Sequence, residues 1–302
     1  MNQREPVIVR DATDADLDAI IDIAKATGQQ EDWTTVYPAY VRHLIAHGRL
    51  LVGVTEAKLD RHRVIGFGGT RQIGEGGRAV SMLTDLFVDP AAHGAGAGRA
   101  ILDVLWGDQA RKITFSSLHS NALPLYTSFG VDAWWPLLYL SGEVTRLRRP
   151  AGWSVERAEP TEVAALEQAW TQVDRTADHQ MWAARPHGIG MIASLGGQPI
   201  AAGTGDSGGA ESGISHLVMN RSGANAAYPA AGQARLAADA VIAVLSWLEP
   251  PGDRVDVCLP APHPAVRPLL TAGWKVSEFD LYMASEPGFI DPLTSVPSPA
   301  LA

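Results

Sequence analysis

LFVDPAAHGAGAGRAILDVLW, residues 86–106, decides how this chain is read. Its opening residues end an apolar run, VSMLTDLFV (80–88), that reads as a strand stopped by Pro90. Gly94, Gly96 and Gly98 follow at alternate positions, and a helical run begins directly after them. Glycines spaced in this way let backbone N–H groups surround an anion without interference from side chains. The helix start adds a positive dipole end, and Arg99 adds a charge. On composition alone the segment is also compatible with a flexible loop. A nucleoside-triphosphate loop requires Gly-Lys-Ser/Thr at its end, where this chain has Gly98-Arg99-Ala100. A dinucleotide fold requires its glycines after the first strand of a parallel unit, whereas several antiparallel-looking strands precede these.

Outward from that segment, VIVR (7–10) reads as a strand, and Thr13 opens an amphipathic helix that ends at Gly28. A second helix is expected over 36–47. Strands are expected at 49–56, 64–73 and 112–117, a turn at GEGG (74–77), and helices at 96–110 and 121–129. The order then repeats. VRDATDADLDAI (9–20) aligns with VERAEPTEVAAL (155–166), VIGFGGTRQIG (64–74) with PIAAGTGDSGG (199–209), and LPLYTSFGVDAWWPLLYL (123–140) with VRPLLTAGWKVSEFDLYM (266–283). Two similar domains explain this better than one large sheet. The joint is expected in basic RLRRPAG (146–152), giving domains at 1–147 and 148–286 and a loose, Pro-rich tail at 287–302.

The glycine segment resembles the acyl-CoA-binding motif of the Gcn5-related N-acetyltransferases, the GNAT superfamily. It stands here as Val88-Asp89-Pro90-Ala91-Ala92-His93-Gly94-Ala95-Gly96-Ala97-Gly98-Arg99-Ala100, with His93 where Gln or Arg is commoner. A second motif, Asn121-Ala122-Leu123-Pro124-Leu125-Tyr126 followed by Phe129-Gly130-Val131, is similar to the family's N-x-x-A-x-x-L-Y-x-x-x-G-F with an Asn–Tyr spacing two residues short. The resemblance covers most of 6–142. It implies an α/β (α+β) chain of two tandem GNAT-like domains, each a mixed, mostly antiparallel twisted sheet flanked by helices.

The resemblance also implies acetyl-CoA as acyl donor and direct transfer of the acetyl group to an amine in a ternary complex. The backbone of Leu86, Phe87 and Val88 then holds the pantetheine arm, and a bulge in that strand aims an amide at the thioester carbonyl. His93, Gly94, Ala95, Gly96, Ala97, Gly98 and Arg99 surround the diphosphate. Asn121 contacts the arm or caps its helix, and Tyr126 donates a proton to the departing thiolate, the alternative being a core aromatic on a short amphipathic helix. The family's glutamate five residues before the Asn is Ser116 here. Asp85 is therefore the first choice of base, with His119 behind it. Glu31, Asp32, Trp33 and Tyr37 fall where the acceptor pocket is shaped. A non-catalytic acyl-CoA-binding module and a nucleotide-binding protein of another fold are the alternatives.

The second copy departs from the pattern. LVMNRSGANAAYPAAGQARLAAD (217–239) has no G-x-G-x-G, and Leu269 stands opposite Tyr126, so a degenerate domain is expected. Asp174, Asp178, His179 and Trp182 fit either an acceptor-facing surface or an ordinary amphipathic helix. No metal site is expected, and Cys258 in VDVCLP reads as a core residue.

Net charge is −9, which argues against nucleic-acid and anionic-membrane partners. Residues 1–150 carry 16 basic and 17 acidic side chains, and 151–302 carry 8 and 16. The acidic second half suits a cationic small-molecule amine as partner, or simply a soluble surface. The lone cysteine precludes an intramolecular disulfide. Neither a signal region nor an apolar stretch of membrane-spanning length stands out, so a cytoplasmic monomer or homodimer is expected.

Overall fold

A computed structural model describes residues 6–28, 36–57, 61–209, 212–220, 230–250 and 253–301. The chain divides into two compact units. The first holds described residues within Met1–Thr114, His119–Asp132 and Ala284–Glu286, and the second holds Phe115–Leu118, Ala133–Met283 and Pro287–Ala302.

In the first unit the elements are β1 (Ile8–Asp11), α1 (Leu17–Ala26), α2 (Val36–His47), β2 (Arg49–Ala57), β3 (Arg61–Ile73), β4 (Val80–Val88), α3 (Ala97–Trp106), β5 (Lys112–Ser116, its last two residues in the second unit) and α4 (Ala122–Thr127). The helix read from Thr13 begins as a 3-10 turn over Asp14–Asp16 and continues as α1. The Thr13 N–H donates to Asp16 Oδ2 at 2.9 Å, and Arg10 forks onto the same carboxylate at 2.7 and 2.8 Å. The Arg10 contact, opposed by some burial, holds the Asp16 carboxyl below its usual range.

Strands run β1-β2-β3-β4-β5, antiparallel except for the parallel β4–β5 pair. The apolar side chains of α1 (Ile20, Ala24), α2 (Val41, Leu44) and α3 (Ile101, Leu102, Trp106) are buried together with Leu51, Val52, Phe67 and Met82 from the strands. Glycines let elements close tightly here. A Cβ on Gly68 would stand 2.8 Å from Ile101 Cγ2.

In the second unit the elements are β6 (Asp132–Glu143, its first residue in the first unit), β7 (Trp153–Ala158), α5 (Pro160–Thr171), α6 (Thr176–Ala183), β8 (Gly188–Leu195), β9 (Gln198–Asp206), β10 (Gly213–Met219), α7 (Ala230–Leu245), β11 (Arg254–Pro260), α8 (Val266–Thr271) and β12 (Lys275–Ala284, its last residue in the first unit). Strand order is β12-β6-β11-β10-β9-β8-β7, with a parallel β10–β11 pair. Its core joins Leu217, Val241, Val244, Val257, Leu259, Leu269 and Trp274.

The division at 147/148 concerns copies in the sequence, and in that sense it stands as a proposal; the spatial units are composed differently. β6 directly follows the last helix of the first copy, yet it pairs through seven residues, Leu137 to Glu143, with β11 of the second. The tail is not loose. Val296 exchanges two backbone hydrogen bonds with Leu217, at 2.9 and 3.0 Å, and Leu301 is fully buried. Its prolines misled the expectation, because they suit an extended segment as well as a disordered one. No helix among the described residues is long and apolar enough to cross a membrane.

Candidate functional site

β4 is where the first sheet opens. Its ladder with β3 slips at Gly69/Thr70, pairing Gly69 with Asp85 and Thr70 with Leu83, so Thr84 is an extra residue. Such a bulge leaves one residue out of the ladder and re-aims the strand. Pairing with β5 covers only Ser81–Leu83 and ends at that bulge. From there to Val88, among the described residues, the strand pairs with β3 alone. The Asp89 N–H donates to Ile65 O at 2.9 Å, so strand alternation turns the backbone groups of Leu86 and Val88 away from β3, toward the open edge. All five residues 84–88 are half-buried.

The turn that follows is held from within. Asp89 Oδ1 accepts the Ala91 N–H at 2.9 Å, and the Ala92 N–H donates to Asp89 O at 2.7 Å. Gly94 and Gly96 have φ of +81° and +90°, a region that side chains disfavour. A Cβ on either would meet no protein atom within 4 Å, so the backbone conformation, and not packing, calls for glycine at both positions. The first bond of α3 runs from Ala100 N to Gly96 O, so the N–H groups of Ala97, Gly98 and Arg99 have no carbonyl one turn back. Such a helix start suits a phosphorylated ligand.

The sequence-selected side chains take unequal parts. Ala97 is buried, Ala95 and Gly98 half-buried, and His93 exposed with Nε2 3.2 Å from Val88 O. Arg99 turns from the glycine segment, donating to Ser128 Oγ at 2.7 Å and lying 5.3 Å over the Phe129 ring. Asn121 is exposed and makes no side-chain cap to α4. Tyr126 is buried in α4 with its ring edge-on to Trp106 at 6.0 Å. Ser116, in the family's glutamate position, is buried and bonded to Ser117 O. Tyr37 is buried in α2, while Glu31, Asp32 and Trp33 lie outside the described residues.

Asp85 has a partner that the sequence did not disclose. Its Oδ2 accepts the hydroxyl of Tyr40, in α2, at 2.6 Å. Burial, reinforced by the Asp85 carboxylate, pushes Tyr40 well above the usual tyrosine range, so it stays a donor. Tyr40→Phe is expected to cost about 1–3 kcal/mol of stability, measured by urea denaturation.

The second unit buries a polar cluster. Glu167 Oε2 lies 2.7 Å from His179 Nε2 and its Oε1 3.1 Å from His216 Nε2, while His179 Nδ1 lies 2.6 Å from Thr204 Oγ1. Arg175 completes it, 3.3 Å from both Glu167 and Asp178. Asp178, His179 and Trp182 are thus interior residues, with Trp182 stacked on His216 at 5.3 Å. Glu167, His179 and His216 are residue types that ligate metals, and their atoms lie close enough together to do so. Yet Arg175 supplies the positive charge, and both imidazoles turn an Nε2 to the carboxylate as hydrogen-bond donors. The geometry accounts for the cluster without an ion. Burial opposes ionisation of Glu167, but its partners keep the carboxyl well below the usual range; burial lowers His216.

Burial also pushes the Cys258 thiol up to about 12, which suits an unreactive thiol, although the residue is half-buried in β11 rather than part of the core expected of it. His263 is lowered by burial to about 4. An imidazole that resists protonation when folded binds a proton more readily when unfolded, so stability is complete above the unfolded value. It is lost as pH falls from about 6.5 toward 4, by roughly 3 kcal/mol for this group. Urea midpoints should therefore fall between pH 7 and pH 4.5, and His263→Gln should flatten that fall.

Residues 47–131 match the acetyltransferase (GNAT) domain family. No curated protein matches the sequence. Among solved structures, a putative acetyltransferase from Pyrococcus horikoshii is similar over 98% of this chain and 94% of its own, with 15% identity and a TM-score of 0.64. A tandem GNAT protein of the clavulanic acid biosynthesis pathway is similar over 94% and 100%, with 13% identity and a TM-score of 0.57. A GCN5-related N-acetyltransferase from Kribbella flavida is similar over 93% and 71%, with 15% identity and a TM-score of 0.58. At these identities the structural likeness establishes the fold.

Proposed function

From a chain whose residues 47–131 are a GNAT acetyltransferase domain and whose whole length folds as tandem GNAT proteins do, we propose an acyltransferase that moves acetyl from acetyl-CoA to the amine of a small cationic molecule. One observation carries it: a strand whose outer edge opens at a bulge and runs directly into a glycine cradle at a helix start. The extended, amide-bearing arm of acyl-CoA matches the edge of Leu86 and Val88. Its diphosphate matches the N–H groups from Gly94 to Arg99. The bulge at Thr84 frees strand amides where the thioester carbonyl would come to rest. Amide donors there stabilise negative charge as it develops on that oxygen.

The amine attacks only as the neutral base, so an ammonium must first lose a proton. Asp85, held by Tyr40, takes that role directly or through water. The amine nitrogen bonds to the acyl carbon, the C–S bond breaks as Tyr126 gives its proton to the sulfur, and the second proton, lost from the new amide nitrogen, returns through water to the Tyr126 phenolate. Positioning supplies much of the rate. The acidic charge of residues 151–302 supports a cationic acceptor by raising its local concentration. Monomer or homodimer, in the cytoplasm, remains part of the same proposal.

A thiol-release assay with acetyl-CoA across an amine library tests it. We expect turnover with one class of small amine, and a fall in kcat of about 10²–10⁴ in Asp85→Asn, with acetyl-CoA binding retained. Binding without release for every amine supports the binding-module alternative, which the burial of Tyr126 against Trp106 favours.

A further inference from the structure

The second unit repeats the open edge and then closes it. The β9–β10 ladder slips between Ile214 and His216, so Ser215 is the extra residue, as Thr84 is in β4. Pairing with β11 covers only Gly213 and Ile214 and ends at that bulge. The Asn220 N–H donates to Ile200 O at 2.8 Å, as that of Asp89 does to Ile65 O. His216 thus corresponds to Asp85, Leu217 to Leu86 and Met219 to Val88. By the same alternation the backbone of Leu217 faces away from β9.

That edge is occupied. The Leu217 N–H donates to Val296 O at 3.0 Å, and the Val296 N–H donates to Leu217 O at 2.9 Å. Val296 is 1% exposed and joins the core of Leu217 and Met219 from β10, Val257 and Leu259 from β11, and Leu269 from α8. Leu269 stands where the first copy has Tyr126. Both ends of the segment are fixed. Asp291 opens it with a turn, its Oδ1 accepting from Leu293 N and its Oδ2 from Thr294 Oγ1. At the far end Arg175 Nη1 donates to Leu301 O at 2.8 Å, tying the segment to the Glu167 cluster.

We propose that unit two contains a second arm-binding cleft, whose resident occupant is the chain's own segment 291–301. On Leu217 the Val296 backbone makes the hydrogen bonds that the amide-bearing arm of acyl-CoA makes on Leu86, an assignment that rests on the proposed function. The ligand class of the uncovered cleft is a pantetheine-type arm: extended, with amides flanked by short apolar links. The covered cleft takes up no acyl-CoA, so the chain binds one equivalent rather than two. Loss of the glycine cradle and of Tyr126's counterpart is the expected companion of a cleft filled from within.

The test is amide hydrogen exchange across β10 in the full chain, in a chain ending at Ile290, and in full-length Val296→Pro, which lacks the N–H donated to Leu217. Each is measured alone, with millimolar pantetheine, and with a peptide of residues 291–302. Exchange in 213–219 should rise about tenfold or more in both variants and be reduced again by pantetheine or by the peptide, the two competing. The full chain should respond to neither. Unchanged exchange in the variants, or restoration by the peptide with no effect of pantetheine, overturns the proposal. If truncation unfolds the unit, Val296→Pro decides alone. Acetyl-CoA titration of the full chain separates the two claims: no binding refutes the proposed function, and two equivalents refute the covered cleft.

Discussion

Gly96→Asp is expected to weaken acetyl-CoA binding by at least 100-fold, roughly 3 kcal/mol, in isothermal titration. Two effects add. Gly96 sits at φ +90°, where a side chain costs about 1–2 kcal/mol. The new carboxylate also stands in a cradle whose N–H groups and helix dipole are set for an anion. Gly96→Asn separates the two, because Asn and Asp meet the left-handed region alike and only Asp carries a charge; about tenfold weakening is expected for Asn. Equal losses in the two variants would mean that backbone strain, rather than anion recognition, explains the glycine.

Glu167→Ala is expected to destabilise the second unit by about 3–5 kcal/mol, seen as a lower urea midpoint. Removal of this carboxylate leaves two imidazole N–H groups without their acceptor and the Arg175 guanidinium with only Asp178 and Leu301 O of the partners described above, all three residues being at most 5% exposed. Its pH dependence has a definite sign. A carboxyl lowered in the folded state stabilises above the usual carboxylate range, and that stabilisation is lost as pH falls through the range and below. His216, lowered by burial, adds loss in the same direction from about pH 6.5 downward. A midpoint unmoved by Glu167→Ala would mean that the cluster is only packed, not bonded.

The end of β4 and the glycine turn that follows it were legible because they depend on local chemistry. Pro90 ends the strand, and alternate glycines supply positive φ ahead of an apolar helix. The repeat was read from the order of elements, which survives where the glycines do not; the bulge at Ser215 that copies the one at Thr84 was not read from the sequence. Three features were hidden because they are long-range. Tyr40 meets Asp85 across 45 residues, Arg175 meets Leu301 across 126, and Val296 pairs with Leu217 from the far end of the chain. The same holds for β6, whose apolar run marks a strand but not which sheet it joins. A pattern of period two fixes which face of a strand is buried and leaves its neighbour open.

The most direct test of the acyl-CoA site is backbone amide exchange over residues 80–106 with and without saturating acetyl-CoA. Slowed exchange at Leu86 and Val88 and from Gly94 to Arg99, absent in Gly96→Asp, is the predicted result. Binding that leaves this stretch unprotected would contradict the account.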